Sequence, residues 1–100
     1  MNSSDNLALL SVSHNCLTDE NVLQISKSFP SLRCLNLAYN QVSDIRKMIV
    51  SLKKLNKLKI LSTFGNSISL LAVYYGQITN ALDLKLFDNE NYVRPPEPSK

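Results

Sequence analysis

The chain has no tryptophan, two glycines, two cysteines and a single histidine among its 100 residues. No G-x-x-x-x-G-K or G-x-G-x-x-G run occurs, which removes the common glycine-based phosphate cradles. Cys16 and Cys34 lack metal-ligand spacing, so no metal and no cofactor is expected. The opening run M-N-S-S-D-N has no cationic segment followed by an apolar core, unlike a signal peptide. Without such a signal the cysteines are expected to stay reduced, and the expected compartment is the cytoplasm. No apolar run approaches the roughly 18 residues that span a bilayer, so no membrane partner is expected. Charge is also sparse: eleven basic and eight acidic residues leave a net +3. That excess is well below what a dedicated nucleic-acid binder carries. The 44% of hydrophobic residues is ordinary for a small globular domain.

What the chain does have is a pattern. Residues 32–42 read L-R-C-L-N-L-A-Y-N-Q-V, with apolar residues at Leu32, Leu35, Leu37 and Val42 and an asparagine at Asn40. The same slots are filled earlier by Leu7, Leu10, Val12, Asn15 and Leu17, and later by Leu58, Leu61, Thr63, Asn66 and Ile68. Thr63 stands where an apolar residue is expected. The asparagines Asn15, Asn40 and Asn66 recur at nearly equal steps along the chain. In a short strand, Leu35 and Leu37 point to the same buried face. Asn40 is placed to satisfy backbone groups left unpaired where the strand turns away. The spacing and slots match the leucine-rich repeat, L-x-x-L-x-L-x-x-N-x-L.

The segments between strands read as helices. Thr18 is a candidate N-cap, with Asp19 and Glu20 in the first turn, followed by an apolar stripe of Val22, Ile25 and Phe29 and a stop at Pro30. A second helix starts at Ser43 or Asp44. It carries Ile45, Met48, Ile49, Leu52 and Leu55 on one face and Arg46, Lys47, Lys53, Lys54 and Lys57 on the other. The expected fold is therefore α/β: a leucine-rich-repeat solenoid, a right-handed β-α superhelix of about three repeats with short parallel strands and a C-terminal cap. The expected boundaries are an N-terminal tail (1–6), repeats (7–68), a cap (69–91) and a Pro-rich tail (92–100). Leu70, Leu71, Val73, Tyr74, Tyr75 and Ile78 are expected to cover the open end of the stack. Leu84 and Phe87 are expected in a last short strand. Only a short tail precedes the first repeat, so its edge around Leu7, Leu10 and Val12 is expected to be uncovered and to favour self-association.

Residues 51–80, S-L-K-K-L-N-K-L-K-I-L-S-T-F-G-N-S-I-S-L-L-A-V-Y-Y-G-Q-I-T-N, carry a more specific likeness. The chain resembles the C-terminal repeats and cap of the leucine-rich repeat-containing protein 43 family, in which a repeat ends in G-N-P and an apolar run leads to P-Y-Y-R-G. Gly65-Asn66 and Tyr74-Tyr75 match that pattern. Ser67 and Val73 stand in place of its prolines, Gly76 in place of its arginine, and Phe87-Asp88-Asn89 where L-D-D is usual. The resemblance implies a non-enzymatic scaffold of ciliated or flagellated cells, placing the protein in a cilium or axoneme.

The repeat register assigns the outward positions of the three strands: Leu9, Ser11 and Ser13; Cys34, Asn36 and Ala38; Ile60, Ser62 and Phe64. Solenoids bind partners on such concave faces. With Tyr39 beside them, these residues form the expected contact surface for a protein partner, Phe64 being its exposed aromatic anchor. Two alternatives stand beside this. One is a structural subunit or fragment of a larger assembly. The other is a nucleic acid or acidic surface bound through Lys53, Lys54 and Lys57. Enzymatic activity is not expected. Cys16 lies beyond Asn15 at a turn, and Cys34 falls four positions short of the slot equivalent to His14, over ~10 Å away at about 3.3 Å per residue. Tyr74 and Tyr75 are expected to be core residues of the cap.

Overall fold

The structure, a computed structural model, describes residues 7–88 and the backbone of residues 90 and 91. The expected tails, 1–6 and 92–100, lie outside the described residues. Strands β1 (Leu9–Ser11), β2 (Cys34–Asn36), β3 (Ile60–Ser62) and β4 (Leu86–Phe87) lie side by side in chain order and parallel. A final strand, β5 (Glu90–Asn91), pairs antiparallel with β4. Leu10, Leu35, Leu61 and Phe87 share one row of the register. The last three are fully buried, while Leu10, at the sheet edge, is half-buried. The ladder runs on past the strands, with backbone N–H groups of Val12, Leu37, His14 and Tyr39 donating to Asn36, Ser62, Ala38 and Phe64. Val12, Leu37 and Thr63 thereby form a second inward row.

Helices α1 (Asp19–Ser28), α2 (Ile45–Leu52) and α3 (Tyr74–Ala81) return the chain between strands. Thr18 caps α1, and the Asn21 side-chain oxygen accepts from the Thr18 backbone N–H at 2.8 Å. Asp44 caps α2 by accepting from the Lys47 N–H at 3.1 Å. Val22 of α1 and Ile45, Met48 and Leu52 of α2 close over the inward leucines, and Leu55 follows them into the core. Ile25 and Phe29 are only partly buried. Together with Leu10, Val12 and Leu17 they line a hollow of about 370 Å³ at the open edge of β1, which has no strand on its outer side among the described residues.

The asparagines join each strand–turn–helix unit to the next. The Asn40 amide donates to the carbonyls of Leu37 (2.9 Å) and Val12 (3.1 Å), and its oxygen accepts from the N–H groups of Asn15 and Leu17. Asn66 repeats this one unit later, donating to Thr63 and Leu37 and accepting from Val42. Both side chains are buried. Asn15 is exposed, and its side-chain amide donates to carbonyls of its own turn.

The C-terminal segment departs from expectation in three ways. β4 begins at Leu86; Leu84 is buried ahead of it, in the slot of Leu32 and Leu58. The apolar run after Asn66 does not go inside as a block. A 3₁₀ turn spans Ser67–Leu70, and α3 turns Tyr74, Ile78 and then Leu82 inward at helical spacing. The remaining apolar side chains fall on other faces, so Leu70 is 87% exposed and Leu71, Val73 and Tyr75 are also exposed. Tyr75 is therefore not a core residue, although Tyr74 is. Lastly, Thr63 is a buried partner rather than a weak match. Its hydroxyl bonds the Tyr74 phenol at 2.6 Å, and that phenol donates to Asp88 Oδ2 at 2.6 Å. Asp88 Oδ1 accepts from the Thr63 backbone N–H at 2.8 Å. Burial, and then the carboxylate of Asp88, push the Tyr74 phenol well above its ordinary pKa of about 10.

Candidate partner-binding face

The sheet face opposite the inward leucines carries all ten residues assigned to partner contact. The register aligns them in rows across the strands: Leu9, Cys34 and Ile60, then Ser11, Asn36 and Ser62. Leu9 is 64% exposed and Ile60 36%, with Cys34 between them half-buried. An apolar row thus runs across three strands on the outside of the sheet. In the next row Ser11 is exposed, Asn36 is half-buried and its oxygen accepts from the Ala38 N–H at 3.0 Å, and Ser62 is buried. Ser13 is half-buried.

Three of the ten differ from their assigned character. Ala38, at 2% exposure, and Ser62 offer almost no side-chain surface. Both are small side chains in inner units, Ser62 in β3 and Ala38 just past β2, with a neighbouring unit on each side. Phe64 is half-buried rather than an open anchor, because its ring meets Tyr39 edge-on at 5.2 Å between centroids. The exposed aromatic of this face is Tyr39, 48% accessible.

Tyr39 is held from both sides. His14 stacks on it with centroids 4.5 Å apart and planes 20° from parallel. On the other side stands Gly65, where an added Cβ would come within 2.4 Å of Tyr39 Cδ1. His14, Tyr39 and Gly65 each precede the asparagine of their unit, and all three have left-handed backbone, with φ of 62°, 59° and 80°. Only glycine takes that conformation freely; a histidine or tyrosine there costs on the order of 1–3 kcal/mol. The two strained residues are the ones whose rings make the stack. The role of His14 was missed in the sequence, and the available signal was its slot: H-N, Y-N and G-N occupy one position of the pattern.

The other candidates lie elsewhere. Arg46, Lys53, Lys54 and Lys57 are exposed in or after α2. Lys47 forms an ion pair with Glu20, which raises the lysine pKa and lowers that of the carboxylate. Cys16 and Cys34 are free thiols. Among the described residues no group of His, Cys, Asp and Glu is placed to hold a metal ion, and no helix is long and apolar enough to cross a membrane.

Comparison with known proteins agrees with this architecture. No family profile matches the chain. It is 28% identical over 93 residues to leucine-rich repeat-containing protein 43 of Homo sapiens, covering 84% of this chain and 14% of that protein. For the Mus musculus protein of the same name the identity is 33% over 75 residues, covering 73% of this chain and 11% of that one. The chain thus spans only a small part of the length of these relatives. Among solved structures, the Mex67 LRR domain from Chaetomium thermophilum superposes with a TM-score of 0.73 at 24% identity, covering 87% of this chain and 59% of that one. A structure of Chaetomium Mex67:Mtr2 subunits gives 0.76 at 23% identity, covering 89% and 58%.

Proposed function

We propose that this chain, a leucine-rich repeat protein, is a non-catalytic protein-interaction module of three repeats and a C-terminal cap, which binds a protein partner on the concave face of its sheet. The observation that carries the reading is Tyr39. It is an exposed aromatic clamped between His14, Phe64 and Gly65 on a backbone conformation that tyrosine rarely adopts. Local strain of this kind collects at binding sites, and a ring fixed in advance loses little entropy when a partner covers it. The apolar row Leu9–Cys34–Ile60 lies at the opposite end of the same face, and exposed apolar residues grouped on one face mark interfaces.

The test is quantitative affinity capture with the wild-type chain, a Leu9→Glu/Ile60→Glu variant and a Val50→Glu control on exposed α2 surface. A partner retained by wild type and control and lost by the face variant supports the reading. An identical set of partners for all three removes the concave face. A second reading, a structural subunit of a larger assembly such as an axoneme, is favoured by the exposed cluster Leu70, Leu71, Val73 and Tyr75. It predicts a chain that aggregates alone, whereas the interaction module sediments as a monodisperse species.

A further inference from the structure

The edge of the sheet where the strands begin has a charge pattern that the concave-face reading does not use. Arg33, Lys59 and Lys85 each stand immediately ahead of β2, β3 and β4, evenly spaced along the chain. They are stacked by backbone hydrogen bonds, Lys59 N–H to Arg33 O at 2.9 Å and Lys85 N–H to Lys59 O at 2.7 Å. Neighbouring strands are about 4.8 Å apart, so three cations recur along this edge at about that interval. Two more lysines flank the row. Lys57 shares a hollow of about 320 Å³ with Arg33, Ala8 and Ser31. Lys53, Lys59 and Asp83 rim a second hollow, of about 340 Å³, with the largely buried Leu52, Leu55, Leu58 and Leu82 at its base.

Among the described residues, little acid balances this edge. Asp83 pairs with Lys59 at 3.0 Å. The other acidic side chains described are committed elsewhere. Asp19 accepts from Ser43 and Asp44, Glu20 pairs with Lys47, Asp44 caps α2, and Asp88 holds Tyr74 and Thr63. These groups gather at the N-terminal ends of α1 and α2 and beyond the end of β4, leaving the strand-start edge cationic. The C-terminal end of α2 lies on this side, and its negative dipole end tolerates the crowded lysines without neutralising them.

We propose that this edge docks an acidic amphipathic helix of a partner protein. Carboxylates at i, i+3 and i+4 on a helix are about 5–6 Å apart, close to the interval of the cation row. The leucines at the base of that hollow offer a small apolar seat for one side chain of the same helix. A nucleic-acid backbone would use the cations but not that seat. No aromatic side chain is interleaved among these cations as a base-stacking platform requires.

The experiment is fluorescence anisotropy with a labelled helical peptide of about five turns carrying Glu at i, i+4 and Leu on the adjacent face. The comparison ligands are its Glu→Gln counterpart and single- and double-stranded oligonucleotides of matched charge. The expected result is saturable binding of the acidic peptide that weakens with salt and falls about tenfold or more for the Gln peptide. A similar loss is expected for Arg33→Glu/Lys85→Glu. Arg33→Gln/Lys85→Gln, which cannot introduce repulsion, should lose a smaller factor, and Arg46→Glu on the outer face of α2 should bind like wild type. Equal binding of the Gln peptide overturns the proposal, as does full binding by both Arg33/Lys85 variants. Tighter, Arg33/Lys85-dependent binding of an oligonucleotide also overturns it and assigns the edge to nucleic acid instead. Tyr39→Ala, at the other end of the concave face from the cation row, should leave peptide binding unchanged, which separates this surface from the concave face.

Discussion

Replacing Gly65 with alanine should unfold a disproportionate share of this small domain, and the reason is Tyr39. An alanine forced to φ near +80° costs about 1–2 kcal/mol. Its Cβ would also sit 2.4 Å from Tyr39 Cδ1 and 2.8 Å from Cε1, so the ring has to leave its place. Leaving forfeits the stack on His14 and the edge contact with Phe64, each worth about 0.5–1.5 kcal/mol. Alanine recovers about 0.4–1 kcal/mol by restricting the unfolded chain. The net loss is about 2–3 kcal/mol, a large part of the stability of a domain this size. The assay is a double-mutant cycle in urea, followed by far-ultraviolet circular dichroism, with Gly65→Ala, Tyr39→Ala and the pair. Once Tyr39 is truncated only the backbone penalty is left, so Gly65→Ala should cost about 1 kcal/mol in that background, roughly 2 kcal/mol less than in the wild type. A Gly65→Ala penalty equal in both backgrounds would refute the clamp, and a neutral Gly65→Ala would refute the strained turn as well.

Two further outcomes follow from the hydrogen bonds. Asn40→Ala and Asn66→Ala each orphan buried backbone groups and should cost about 2–4 kcal/mol by chemical denaturation, whereas Asn15→Ala, exposed and donating only within its own turn, should cost under about 1 kcal/mol. Tyr74→Phe leaves Thr63 and Asp88 short of a partner and should lower stability at neutral pH by about 1–2 kcal/mol. The folded-state pKa of the Tyr74 phenol is raised, so its contribution is complete below about pH 10 and fades as pH rises towards the folded value. Melting temperatures measured from pH 7 to 12 should therefore converge for wild type and Tyr74→Phe on the alkaline side; a constant gap would mean that the phenol is not the linked group.

Leu35, Leu37 and Leu61 were legible because strand alternation and the near-constant length of the unit both put them on the same side. Asn40 was legible because its slot recurs. Thr63 was not, since the groups that make a hydroxyl acceptable there, Tyr74 and Asp88, lie 11 and 25 residues further along. Phe64 was misjudged for a similar reason: its accessibility is set by Tyr39 of the preceding unit. Leu70, Leu71 and Val73 show the limit of reading hydrophobic density, because which side chains of an apolar run go inside depends on where a 3₁₀ turn gives way to α3. The cation row Arg33, Lys59 and Lys85 was legible in principle at its even spacing, but a pattern defined by leucines and asparagines carries no information about it.

The asparagine bonds give the molecule a direction. Asn40 completes the turn before it by accepting from Asn15 and Leu17, and Asn66 completes the next by accepting from Val42. The buried side chain that finishes each of these two turns is thus supplied by the unit that follows it in sequence. A ribosome delivers this chain in the least helpful order, since every turn leaves the tunnel one whole unit ahead of the side chain that satisfies it. The first turn can be finished only once Asn40 has emerged, and the second only once Asn66 has. A chain truncated by a single unit at its C-terminus would leave the one before it unfinished, whereas the same loss at the N-terminus would take no buried asparagine with it.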